Sequence, residues 1–245
     1  MAANQLAQSV RQQLGIGRVL PLGGPADGSW ITERAAAGAL RAGTAFPAGV
    51  RLGTLRLSVA DPEHAPEPTV PAPMSALPPG PLRIEADFEA AAAVADRPLP
   101  AVADQVRAAL LEAAVQDLGL VVGVVDLRVS GLLEAGEEAA PTSRAPRTEP
   151  PTASPLAGGR TGATQEGPAG IAAVALGVAG VARLAPALGG PSRPVRLTDG
   201  HALVQLAVAA GHRALDVAHA VREAVAAAPA APSTVAVLVT DVERD

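Results

Sequence analysis

Apolar residues at Leu6, Val10 and Leu14 fall at helical spacing, and Gly15 and Gly17 then break the pattern. The segment 1–20 therefore reads as an N-terminal amphipathic helix, one that packs on the chain or binds a partner. After a loop from Pro21 to Gly28, Thr32 stands where an N-cap belongs, with Ile31 before it as a staple and Glu33 in the first turn. That helix runs to about Ala45, ahead of Pro47 and Gly49. The pattern then alternates: Leu55, Leu57 and Val59 in one run, and Leu82, Ile84, Ala86 and Phe88 in another, as in half-buried strands. Between them, residues 61–81 are Pro-rich and lack periodicity, which predicts a flexible insertion in a hairpin connection. A helix follows over Pro100–Leu118, with Val102, Val106, Ala109, Leu110 and Ala113 on one face and Gly119 at its end. The strand Val121–Leu132 puts Val125, Leu127 and Val129 on one side, Asp126 and Arg128 on the other.

All periodicity stops over 134–166, a stretch rich in Pro, Ala, Thr, Gly and Ser that reads as a disordered linker. A second set of elements follows. It comprises a helix over Ala169–Leu184, strands Val195–Thr198 and His201–Val208 around the hairpin signal Asp199-Gly200, a helix Asp216–Ala228, and a closing strand with Val235, Val237 and Val239. The order helix, strand, strand, helix, strand thus occurs twice, over 28–133 and 167–242. Letters repeat with it. Val102-Ala103-x-x-Val106-Arg107-x-Ala109-Leu110 matches Val217-Ala218-x-x-Val221-Arg222-x-Ala224-Val225 at a constant offset of 115 (217 − 102), and Gly49-Val50 matches Gly180-Val181. The fold class expected is α+β: two similar α-β-β-α-β modules, each a three-stranded sheet packed by two helices.

Composition points the same way. Hydrophobic residues make up 49% of the 245, yet aromatics only 1%, so Ala and Val must build the interior. Such side chains bury little area each, at about 25 cal/mol per Å², which favours two small cores over one large one. There is no Lys; all nineteen basic residues are Arg, against 24 acids, for a net charge of −5. That balance argues against general affinity for nucleic acid. The absence of Cys removes disulfides and thiolate chemistry. The longest apolar stretch, Pro168–Ala182, is shorter than the roughly 20 residues a spanning helix needs, so no transmembrane segment is expected. No secretory signal opens the chain, and a cytoplasmic location follows as the expectation.

Candidate chemistry is sparse. Four histidines occur, His64, His201, His212 and His219. His212, Asp216 and His219 would share a helical face and could hold a metal, but Gly211 puts His212 in the preceding loop, and a solvated polar face is expected instead. Glu137 and Glu138 lie in the linker, and Gly158–Gly162 forms a loop without the Lys of a phosphate-binding motif. No catalytic, cofactor-binding or metal-binding residues are assigned, and the chain reads as a non-enzyme. Gly177-Val178-Ala179-Gly180 fits the Gly-x-x-Gly of KH domains, so a KH-like nucleic-acid-binding module is the alternative.

The repeat resembles the alkaline shock protein family, also called the general-stress or envelope-stress family. Leu99-Pro100-Ala101-Val102-Ala103 and Gly123-Val124-Val125-Asp126-Leu127-Arg128-Val129 carry the resemblance in the first copy. Gly177-Val178-Ala179-Gly180-Val181 and Leu215-Asp216-Val217-Ala218 carry it in the second. Ala101 stands where that family has an acid, and Asp216 replaces its Pro. The resemblance implies a cytoplasmic, abundant, non-enzymatic protein tied to envelope homeostasis. It would self-associate, or be held at the inner face of the membrane by an anchored partner.

Overall fold

The structure is a computed structural model that describes residues 17–91, 98–133, 167–187 and 193–244. The helix predicted at 4–14, the linker 134–166, Glu137, Glu138 and Gly158–Gly162 lie outside the described residues.

The fold is α+β. Strands β1 (Val19–Pro21) and β2 (Ser29–Thr32) lead into helix α1 (Glu33–Gly43). Strands β3 (Val50–Val59) and β4 (Leu82–Ala91) follow, then helix α2 (Leu99–Ala113) and strand β5 (Val122–Leu133). The last part holds α3 (Pro168–Leu176), β6 (Val181–Leu184), β7 (Val195–Thr198), β8 (His201–Val208), α4 (Ala214–Ala226) and β9 (Thr234–Val242). The strands form two sheets: β3-β4-β5, and a six-stranded sheet ordered β1-β2-β9-β8-β6 with β7 also on β8. In each, an antiparallel pair (β3 with β4; β6 and β7 with β8) is followed by a helix that crosses to a parallel strand (β5 on β4; β9 on β8).

Local sequence explains most of these elements. Thr32 caps α1, its Oγ1 accepting from Ala35 N at 3.2 Å and donating to Thr240 O at 3.3 Å. Thr32 is fully buried, so Thr32→Ala should cost about 1–2 kcal/mol, read as a shift of the urea midpoint at constant slope. Asp199 (φ +50°) and Gly200 (φ +76°) both take the left-handed region that a two-residue hairpin turn demands. Leu110 and its partners at Val102, Val106 and Ala113 form the buried stripe of α2, which widens into a π-turn at Ala114–Leu118 before Gly119.

Four expectations are corrected. The second sheet has six strands, not three: Ser29–Thr32 pairs in parallel with Val237–Val239 of β9, and β1 adds outside it. Val19 and Leu20, at the end of the segment read as helix, belong to β1. The helix expected to reach Leu184 stops at Leu176, and 181–184 is strand β6. Gly180 turns the chain there at φ +88°, where an added Cβ would lie 2.6 Å from Val217 Cγ2. Finally, the Pro-rich insertion does connect β3 to β4, but it is pinned down. Thr69 N donates to Pro25 O at 3.1 Å and Leu77 N to Val19 O at 2.8 Å.

Those anchors explain the burial. One face of the six-stranded sheet and the inner face of β3-β4-β5 share a single apolar core. It contains Leu20 and Ile31, Leu57 and Ile84, Leu110, Val221, and Val237 and Val239. Helix α1, with Ala35, Ala36 and Ala37 buried, touches β9 on one side and β3 on the other. The opposite face of the six-stranded sheet has its own cluster, Val19, Trp30, Leu203, Ala236 and Leu238, closed over by Val70 and Ala76 of the insertion. The insertion thus supplies the apolar cover that a sheet with two buried faces requires.

Candidate functional site

The predicted polar residues are spent on holding the fold. His219 Nε2 lies 3.1 Å from Asp27 Oδ1, and Asp27 Oδ2 accepts from Gly24 N at 2.6 Å. Arg222 donates to the carbonyls of Ala26 and Asp27. Together they fasten the β1–β2 loop to α4 and line a cleft of about 420 Å³. His212 sits in the loop before α4, with Nδ1 3.1 Å from Ala210 O, while Asp216 pairs with Arg213 at 2.8 Å. His212, Asp216 and His219 therefore do not converge. His64 rests on Asp61 at 3.0 Å within the insertion. His201 Nδ1 is 2.8 Å from Thr234 Oγ1, and partial burial pushes its pKa below the ordinary imidazole value. Among the described residues, no three His, Asp or Glu side chains are placed to share a metal ion. None of the described helices is long and apolar enough to cross a membrane.

The Gly-x-x-Gly residues Gly177–Gly180 form the turn between α3 and β6. Gly180 faces Val217 and His212 rather than an open groove. Arg183, the nearest cation in sequence, pairs with Asp241 at 2.5 Å and Glu243 at 3.4 Å. A cleft of about 620 Å³ between α1 and the ends of β6 and β9 is bordered by Arg34, Arg41, Arg183 and Arg244. Its arginines are surface residues, and Arg41 donates to Gly53 O at 3.3 Å.

The strand edges differ more informatively. Unpaired edges invite another strand, and proteins usually shorten or block them. The outer edge of β3 is blocked by side chains: Leu57 N donates to Glu33 Oε1 at 3.2 Å, and Arg18 and Arg41 donate to Leu57 O and Gly53 O. The edge of β1 is met by the insertion at Ala76 and Leu77. Strands β6 and β7 are four residues each. The far side of β9 is filled by β2, where Val237 N donates to Gly28 O at 3.1 Å.

Strand β5 is different. It is the longest strand, twelve residues, and among the described residues no strand lies beyond it. Among the described residues a side chain meets its edge at Arg107 Nε, which donates to Val125 O at a long 3.4 Å. That bond directs the carbonyl of Val125 to the open side. By strand alternation Leu127 and Val129 turn their N–H and C=O groups the same way. Exposure rises along the strand: Val125 is 8% exposed, Val129 41% and Leu132 64%. On the outer face, charges alternate in pairs, with Arg51 on Glu89 at 2.5 Å and Arg83 on Asp126 at 3.0 Å. Arg128 stands beside Asp87 in the register. The pattern of apolar inward and charged outward residues was legible in the sequence; the missing neighbour was not.

Comparison with protein-family models, with curated proteins and with solved structures gives no match to this chain.

Proposed function

We propose that this chain is a non-enzymatic interaction protein, built from two diverged copies of one α-β-β-α-β module, that assembles through the open edge of β5. Geometry at corresponding positions supports the duplication. Gly49 (φ +78°) and Gly180 (φ +88°) each precede a strand, and each carbonyl accepts an N–H at the end of the partner strand: that of Ala91, the last residue of β4, at 2.7 Å, and that of Ala209, just past β8, at 2.8 Å. Arg107 Nε reaches Val125 O, and Arg222 Nε reaches Val235 O at 3.1 Å. A bulge interrupts β4–β5 after Phe88 and β8–β9 after Leu206. At each, a hydroxyl donates to the corresponding carbonyl: Ser130 Oγ to Phe88 O at 3.2 Å, Thr240 Oγ1 to Leu206 O at 3.1 Å. Turns and bulges that recur at corresponding positions support one module written twice.

One observation carries the functional reading. The closing strand of the second copy has a neighbour, β2, whereas its counterpart β5 has, among the described residues, an open edge with apolar side chains exposed along it. By the correspondence of Val125 with Val235, Leu127 stands where Val237 stands, and Val237 is the residue that bonds to the β2 side. A strand from elsewhere would complete β5 as β2 completes β9. Resemblance to the alkaline shock family supports a setting in envelope or stress homeostasis, with self-association or a membrane-anchored partner as the means.

A photo-crosslinker placed at Leu132 in cells should give protein adducts that Val129→Lys removes, while a crosslinker at Glu85 on the charged face gives none. Val129 is already exposed, so the lysine blocks the edge without emptying the core. Absence of adducts to any protein, this chain included, would overturn the reading.

A further inference from the structure

We infer that the strand received by β5 is β5 of a second copy, running antiparallel about a two-fold axis at Leu127. The inference rests on the functional reading above and names its partner. Two identical edges can pair only isologously, each residue meeting its counterpart's mirror position. Because Val125, Leu127 and Val129 direct their backbone groups outward, they form the hydrogen-bonded pairs. Asp126 and Arg128 then fall in the closer, non-hydrogen-bonded pairs.

Charge selects one register. With Leu127 opposite the partner's Leu127, Asp126 faces the partner's Arg128 and Arg128 faces the partner's Asp126. Centring the axis one residue earlier sets Asp126 against Asp126; one residue later sets Arg128 against Arg128. Like charges directly opposite are destabilising. In the favoured register, Asp126, whose side chain is half exposed, keeps Arg83 at 3.0 Å and gains a second guanidinium from the partner.

The other face of the same register is apolar. Val129, 41% exposed, would lie against the partner's Val125, and the two Leu127 side chains would meet at the axis. The two three-stranded sheets would become one sheet of six. Arg107 must release Val125 O, a 3.4 Å bond, but it retains Asp104 at 2.5 Å. A single strand pair buries well under about 1,200 Å², so the dimer should be weak and concentration-dependent.

The test is analytical ultracentrifugation of the whole 24.3 kDa chain over roughly 1–500 µM. The wild type should move from monomer toward twice that mass. Asp126→Arg and Arg128→Asp should each weaken self-association by about tenfold or more, since each puts like charges face to face twice. Mixed one to one, the two variants should associate again, because every pair across that mixed interface is complementary. The double variant Asp126→Arg/Arg128→Asp should likewise self-associate. A wild type that stays monomeric overturns the inference, as do single variants that associate as the wild type does, or a mixture that stays apart. If the wild type is monomeric yet Leu132 crosslinks to another protein in cells, only the identity of the partner fails. If Leu132 crosslinks to nothing, the functional reading fails with it.

Discussion

Phe88→Ala is expected to destabilise the protein by about 3–5 kcal/mol and to do so in one transition. Phe88 is fully buried on β4, where its cluster holds only Ala90 and Val102 as buried partners. Around it stand Val50, Leu52 and Leu127. These neighbours are fixed in the sheet β3-β4-β5 and along the buried stripe of α2 and cannot swing in to fill the space, so the cavity persists. For a chain of this size the melting midpoint should fall by roughly 6–20 °C. From the sequence repeat alone, the loss would stay within residues 28–133 and spare the second half. The shared core alters that expectation. Leu57 and Ile84 of one sheet and Val237 and Val239 of the other belong to one apolar cluster, and α1 touches both sheets. Calorimetry should show a single shifted peak. Two peaks, with the upper one unmoved, would mean that the halves unfold independently.

Gly119→Ala is the second large effect, about 2–4 kcal/mol. Gly119 closes the π-turn at φ +81°, a region where an L-residue costs about 1–2 kcal/mol. Its N–H donates to Val115 O at 3.2 Å, and Leu120 N reaches back to Ala114 O at 2.9 Å, so the turn cannot relax without losing both. Space adds to strain. A Cβ there would lie 2.4 Å from Leu215 Cβ, at the start of α4. Next to it, Arg213 Nε donates to Val115 O at 3.0 Å. The methyl group must therefore push apart one of the places where the halves touch. Guanidinium denaturation checks the magnitude; a change under half a kilocalorie would show that α4 yields freely.

How much was legible in the sequence depended on how local the cause was. The alternation Leu55, Leu57, Val59, the strand bounds Val195–Thr198, the Thr32 cap and the Asp199-Gly200 turn each rest on a few adjacent residues, and all appear where the pattern puts them. Strand β6 was hidden because Val181–Leu184 continues an Ala/Val/Gly run with no period to mark the change. Strand β2 was hidden differently: Ile31 and Thr32 also serve as staple and cap, and their pairing partner lies some two hundred residues away at Val237–Val239. Long-range pairing leaves no periodic trace. The candidate site was half legible. Asp126 and Arg128 alternate with apolar neighbours as any half-buried strand does, but whether Val129 is covered depends on what stands beside β5.

The pairing of β2 with β9 also sets an order of events in biosynthesis. Ser29–Ile31 leaves the ribosome some two hundred residues before Val237–Val239, its strand partner besides β1 among the described residues. Until those residues emerge the hairpin must keep Trp30 and Ile31 out of wrong pairings, and closure of the sheet waits for them. Such distant pairing slows folding and lengthens exposure to aggregation. A nascent chain arrested before residue 234 would hold an apolar hairpin with nowhere to dock, and is the species a chaperone would meet.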